Sequence, residues 1–247
     1  MLKMYICLFL VLLAITIFAF LTNYGGVKIQ NIAVKGVSSI SEGDISNFVK
    51  NEISSKYLYV FAKDNILLLP RSTIKKDLLN NFKKIEIVKV SLSGLRDIEV
   101  TIKERVQTAL WCKDKCFFMD SNGLVFAEAP EFSGTPFPEY FGLINKDNPI
   151  GDNYFDAEKF IKISELFENI KKLGFPLEKF IALDASEYEM TFIGGGKIAI
   201  NDKQDFSESF KNLKAIVDNG LIKTDEVSLK KINHIDLRYN KVHYDFR

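Results

Sequence analysis

The hydrophobic pattern opens with a run that has no periodicity. Tyr5 to Leu21 carries no charge, and Thr16 is its most polar residue. At about 1.5 Å per residue these positions span about 26 Å, near the lower limit for crossing a hydrocarbon core of about 30 Å. Asn23, Gly25 and Gly26 end the helix it predicts. A cleaved signal peptide would have a shorter apolar stretch, about 7 to 15 residues, followed by a small-x-small site. Phe18-Ala19-Phe20-Leu21-Thr22-Asn23 fits such a site poorly, so the pattern predicts a retained span over 4–22 behind a cytoplasmic tail at 1–3. Lys3 and the α-amino group before the span, against Lys28 and Lys35 after it, leave the positive-inside count close to even. The long domain that follows favours N-inside, C-outside, because large domains translocate largely regardless of charge.

Beyond the span the periods alternate between 2 and 3.6. Ile32 and Val34 alternate with polar neighbours up to Gly36, which predicts a half-buried strand. Ser41 with Asp44 three residues on, and Ile40 with Ile45, read as a cap and a hydrophobic staple. The stripe Ile45, Phe48, Val49, Ile53 then predicts a helix. A second stripe, Ile74, Leu78, Phe82, follows Pro70. Val88, Val90, Leu92 and Ile98, Val100, Ile102 predict two strands joined by a turn at Ser93-Gly94-Leu95-Arg96. Helices on one face of such a small sheet would close a core of about 75 residues.

The remaining chain is richer in strands. Thr108 to Trp111 is extended, and Phe117–Met119 and Leu124–Phe126 flank a turn at Asp120-Ser121-Asn122-Gly123. Residues 129–152, with four prolines, read as loop. Asp156 caps a helix with the stripe Phe160, Ile163, Phe167, Ile170 and a stop at Gly174 and Pro176. Strands are predicted at Phe180–Leu183, Glu189–Ile193 and Lys197–Ile200. A last helix begins at Asp205, with Glu208 completing a capping box, and ends at Gly220. Ile235 and Leu237, then Val242, Tyr244 and Phe246, predict two final strands. The fold class expected is α+β.

Composition narrows the function classes. The formal net charge of the 247 residues is +1, without the basic face of a nucleic-acid binder, and none is expected as partner. The two histidines, His234 and His243, lie near the end. His234 and Asp236 share a strand face, but two ligands do not make a metal site, so no metal and no cofactor is expected. Gly194-Gly195-Gly196 lacks the Lys-Ser/Thr and the helix of a phosphate loop and reads as a turn. Asp120-Ser121-Asn122-Gly123 lacks the later Glu of a calcium loop, and no nucleophile–base motif stands out. The reading is a binding protein, not an enzyme. Cys7 sits in the span as a small apolar residue. Cys112 and Cys116 flank Lys113-Asp114-Lys115; a three-residue hairpin brings such a pair near disulfide range, about 5.5 Å between Cα atoms. Two free thiols are the alternative. A bridge is the expectation, and it would imply an oxidising compartment.

The order of these elements resembles the FtsQ/DivIB family of bacterial cell-division proteins. The resemblance rests on Asn65-Ile66-Leu67-Leu68-Leu69 leading into the second helix, and on Val100-Thr101-Ile102-Lys103-Glu104-Arg105 followed by Ala109-Leu110-Trp111. Met119 to Phe126 and the terminal Ile235-Asp236-Leu237-Arg238-Tyr239 add to it. The two modules that they mark in order and spacing, 27–104 and 105–247, cover about 220 residues. The resemblance implies a βααββ POTRA domain at 27–104 and an FtsQ-type β domain at 105–247. It implies one span in the plasma membrane with the bulk outside, at the division septum. It also implies a non-enzymatic scaffold that binds small single-span division proteins (FtsB and FtsL) and helps control the septal peptidoglycan synthase, FtsW with FtsI.

In this family the partner site includes an Arg-Tyr pair in the last strands and an aromatic soon after, which Arg238, Tyr239 and Tyr244 match. With Lys241, Val242 and His243 between them, these are the candidate partner-binding residues. A terminal strand pair leaves a sheet edge with unpaired N–H and C=O groups, to which a partner segment can add as a strand. The turn at Asn240-Lys241 is shorter than the family's, Gly94-Leu95 stands where the family often has Trp-Pro, and the Cys112/Cys116 pair lies outside its general pattern. Two other readings compete: a POTRA-containing export or assembly factor, and a membrane-tethered envelope enzyme.

Overall fold

Nearly every side chain of the first helix, α1 (Leu2–Asn23), faces outward. In the computed structural model, which describes residues 2–247, α1 is the one helix long and apolar enough to cross a membrane among the described residues. The chain is a mixed α+β protein whose Cα traces fall into two units, Met1–Arg105 and Val106–Arg247.

In the first unit α1 ends where its Thr22 becomes buried. The Thr22 carbonyl accepts a hydrogen bond from Asn65 Nδ2 at 2.8 Å, and Asn65 is itself buried. A 3-10 turn at Gly25–Val27 leads into β1 (Asn31–Lys35), α2 (Glu42–Ile53), a short hairpin of β2 (Lys56–Tyr57) and β3 (Phe61–Ala62), α3 (Arg71–Asn81), β4 (Ile85–Leu92) and β5 (Asp97–Glu104). The sheet order is β1-β5-β4, with β1 parallel and β4 antiparallel to β5. Ser41 caps α2 by accepting from the Asp44 N–H. Ile45, Val49, Ile53, Ile74 and Leu78 pack from the helices onto Val34, Val88, Ile98, Val100 and Ile102.

Two details depart from simple alternation. The register shifts between Ile85 and Ile87, so Ile85 and Val88 are both buried while Ile87 is exposed; a bulge reverses which residues face inward. The hairpin at 56–62 had no signal in the hydrophobic pattern. At the end of β5, Glu104 accepts from the backbone N–H groups of Ser38, Ser39 and Ile40 and from both serine hydroxyls. Burial acts to raise the Glu104 carboxyl, but these hydrogen bonds outweigh it and hold it down at about 2.

The second unit is a nine-stranded sheet. Its strands are β6 (Ala109–Cys112), β7 (Cys116–Met119), β8 (Val125–Glu128), β9 (Glu139–Phe141), β10 (Leu177–Ala182), β11 (Glu187–Phe192), β12 (Gly196–Asn201), β13 (Ile232–Asp236) and β14 (His243–Phe246). Their order across the sheet is β14-β13-β12-β11-β10-β9-β6-β7-β8. Helices α4 (Ala157–Lys172), α5 (Phe206–Asp218) and the short α6 (Glu226–Leu229) complete the unit. β9, inside the stretch expected to be loop, joins the two halves by pairing parallel to both β6 and β10. Its Tyr140 is buried. Cys112 and Cys116 are bridged across the β6–β7 turn, with Cα atoms 4.1 Å apart. At the β7–β8 turn Asp120 accepts from the N–H groups of Asn122 and Leu124, and Gly123 has φ +79°. Asp205 caps α5 through the Ser207 N–H, two residues on, in place of the expected capping box with Glu208.

Register places one row of side chains across the core face. Phe117, Trp111, Tyr140, Phe180, Met190, Ile198 and Ile235 are successive neighbours, and the next partner is Tyr244 on β14. Phe160, Ile163, Phe167 and Ile170 of α4 and Leu213 of α5 belong to the same core as the seven buried members of this row.

Candidate functional site

The two edges of the large sheet are treated differently. At β8 the chain returns to cover the edge: the Val125 N–H donates to the Asp152 carbonyl and the Val125 carbonyl accepts from the Gly151 N–H. Leu124 bridges to Asn153, and Val125, Phe126 and Ala127 are buried. At β14 all four residues are exposed, and among the described residues β13 is the one strand paired with it.

The side chains on β14 follow from register. Directly opposed residues of an antiparallel pair lie on the same face. Tyr244 faces with Ile235 and Phe246 with Ile232, both buried. Tyr244 and Phe246 therefore extend the core face past its last covered strand, 37% and 54% exposed, with ring centroids 5.7 Å apart. His243 and Asp245 take the other face, where Asp245 accepts from Asn233 Nδ2 at 2.7 Å. The Arg247 N–H donates to the Lys231 carbonyl on the β13 side. Backbone groups alternate along such a strand, so the N–H and C=O of Tyr244 and Phe246 point to the open side.

The turn before β14 is fixed by charge. Arg238 forks onto Asp236, with Nε 3.0 Å from Oδ1 and Nη2 2.8 Å from Oδ2, and Nη1 reaches Glu187 at 3.3 Å. The Arg238 N–H also donates to Asp236 Oδ1. Burial acts to raise the Asp236 carboxyl, but these bonds and the guanidinium charge hold it below its ordinary value. The same hydrogen bonds raise Arg238. The Leu237 N–H donates to the Ala199 carbonyl, and Gln204 donates to Asn240.

Of the six sequence candidates, the structure brings Tyr239, His243 and Tyr244 to the surface of this edge. Tyr239 is 58% exposed, lies beside the Arg238 guanidinium and meets the His243 ring edge-on. Lys241 is exposed in the turn. Val242 packs half-buried against the core, and Arg238 has its guanidinium engaged within the chain. Phe246, absent from the six, is exposed on the same face as Tyr244, a placement that strict alternation from Tyr244 signals.

Further concavities lie elsewhere in this unit. A cleft of about 680 Å³ runs between α4 and the start of α5. Its Lys159 ammonium is engaged by Asp202 and the Ala185 carbonyl, both at 2.9 Å, and sits over the Phe155 and Tyr188 rings. A groove of about 550 Å³ beside α4 holds Tyr140 and Ser164, whose hydroxyls share a 3.3 Å hydrogen bond. Burial pushes the Tyr140 phenol up to about 12. Among the described residues no three His, Cys, Asp or Glu side chains converge as a metal site. No protein-family model matches this chain, and no curated protein matches its sequence.

Proposed function

We propose that this chain is a single-span division scaffold of the FtsQ/DivIB type that receives a partner strand on β14. In this reading residues 27–104 are a POTRA domain and 105–247 the family's β domain. α1 crosses the plasma membrane with the N-terminus in the cytoplasm, and the outer part acts at the septum. The partners are the outer segments of FtsB/FtsL-like proteins, and through them the septal peptidoglycan synthase complex. The Cys112–Cys116 bridge supports an oxidising outer compartment.

The observation that carries the proposal is the row ending at Tyr244. Seven members are buried and the eighth is left at an open edge with Phe246 beside it. Proteins defend such edges with charge, proline or covering chain, as β8 is covered here. An added strand would pair the outward groups of Tyr244 and Phe246 and place its own apolar residues beside their rings.

The test exploits the alternation. Proline is tolerated where a strand N–H faces outward, so Tyr244→Pro removes the edge donor while sparing the ladder to β13. Tyr239→Asp alters the adjoining surface. Both variants, checked for retained melting behaviour, are expected to lose the partner in cross-linking pull-down from dividing cells and to leave mid-cell. Wild-type recovery of the partner by both folded variants would sink the proposal.

A further inference from the structure

We propose that the hairpin tip Tyr57–Phe61 enters the interfacial layer of the bilayer that α1 crosses, giving the first unit a second membrane contact beside its anchor. The inference rests on the reading of α1 as a span. Its starting point is a backbone oddity. The Val60 N–H donates to the Tyr57 carbonyl, closing a turn whose central residues are Leu58 at φ +49° and Tyr59 at φ +63°. Positive φ at both central positions is the signature of a tight hairpin turn that Asn-Gly fills at least cost. Here two large apolar side chains fill it, 81% and 96% exposed. Strain of this kind persists where the surroundings compensate for it, and water does not compensate for an exposed Leu beside an exposed Tyr.

The hairpin is fastened to the membrane end of α1. Asn23 Nδ2 donates to the Val60 carbonyl at 2.9 Å, and the Phe61 ring lies 5.6 Å from the ring of Phe18. Phe18 lies about 7.5 Å before Asn23 along the helix axis, inside the uncharged run. The hairpin thus lies along the last turn and a half of the helix, at the depth where lipid headgroups begin. The buried Thr22–Asn65 hydrogen bond fixes the adjoining chain to the same helix end.

Chemistry agrees with depth. Lys56 and Lys63 bracket the apolar stretch Tyr57-Leu58-Tyr59-Val60-Phe61-Ala62, and Lys63 Nζ lies 5.0 Å from the Tyr57 ring centroid. Tyrosines gather at membrane interfaces, and lysines reach from there to lipid phosphates with their stems over apolar surface. Tyr24, at the end of α1, is likewise exposed.

The experiment uses the full chain with Cys7→Ala, the Cys112–Cys116 bridge intact, and one added cysteine carrying an environment-sensitive fluorophore. The cysteine replaces Leu58, Tyr59, Leu12 within α1, or Lys84, which precedes β4 at the end of the sheet away from the Ser93–Arg96 turn. Vesicles of phosphatidylcholine and phosphatidylglycerol carry nitroxides near the headgroup or deep in the acyl chains. Labels at 58 and 59 are expected to be quenched about threefold or more over position 84, most by the shallow nitroxide, as for a tip in the interfacial layer. Quenching at 58 and 59 equal to that at 84, with position 12 quenched by the deep nitroxide, overturns the hairpin contact and leaves the anchor standing. No deep quenching at 12 overturns the span itself. Shielding of 58 only when a second protein is co-reconstituted would assign the tip to that protein and overturn the lipid proposal.

Discussion

Glu104→Gln offers a sharp test of the energetics of the first unit. The carboxylate gathers three backbone N–H groups and two hydroxyls of the Ser38–Ile40 segment, and its pKa is lowered from 4.5 to about 2. At ~1.4 kcal/mol per pKa unit, that shift has a ceiling of ~3 kcal/mol. Glu104 is partly solvated, so screening reduces the expected contribution by about half, to ~1.5 kcal/mol near neutral pH. Its sign follows from linkage. A carboxyl depressed on folding contributes stability that is complete above its unfolded value and is lost as pH falls through the folded one. The window runs from 4.5 down to about 2. More than half of the contribution should be gone by about pH 3. Urea unfolding of the 27–105 segment at neutral pH and near pH 3 measures it, with amide exchange at Ser38, Ser39 and Ile40 as the local readout. Glu104→Gln should be weaker than wild type at neutral pH, and the difference should shrink in acid. Identical pH profiles for the two proteins would refute the reasoning, since the carboxylate would then contribute nothing that the amide does not.

Arg238→Met should loosen the last turn. It leaves the Asp236 carboxylate, 9% exposed, without its fork. Breaking a buried pair costs about 3–5 kcal/mol, and the partial exposure of Arg238 reduces this to ~1–2 kcal/mol; faster amide exchange over 237–242 is the measurement. Phe180→Ala removes a fully buried ring whose centroid lies 5.3 Å from that of Tyr140 and 5.5 Å from that of Tyr188. A loss of about 3–5 kcal/mol is expected, read as a lowered urea midpoint of the 106–247 segment, and a change below about 1 kcal/mol would mean that the aromatic cluster is not tightly packed.

The elements with a full period were legible in the sequence. The α4 stripe Phe160, Ile163, Phe167, Ile170 and the β5 alternation Ile98, Val100, Ile102 carry their burial in their spacing. What escaped lacks a period of its own. β9 is three residues long and contributes one buried side chain, Tyr140, too few positions to alternate; pairing on both sides makes it a strand. The β2–β3 hairpin escaped because Leu58 and Tyr59 hold backbone angles that their residue types disfavour. The β4 bulge shifts which residues face inward without altering composition. In each case tertiary contacts outweigh local preference.

The candidate edge was legible in a different sense. Alternation places Val242, Tyr244 and Phe246 on one face, but it cannot say that the covered core ends between Ile235 and Tyr244. That depends on strand order, since among the described residues β14 pairs with β13 alone. Nor does sequence separate the members of the Arg-Tyr pair. Adjacent in the chain, they differ in their surroundings: the Arg238 guanidinium is held by Asp236 and Glu187, while Tyr239, its ring beside that guanidinium and edge-on to His243, is 58% exposed. On the proposed reading, the arginine would act on an incoming strand through the turn it holds, by fixing where β14 begins and hence which N–H groups face outward. On that reading the exposed aromatic rings would provide the direct contact. Substituting Arg238 and substituting Tyr244 should then weaken partner binding in distinguishable ways, the first together with loss of order in the turn and the second with the turn intact.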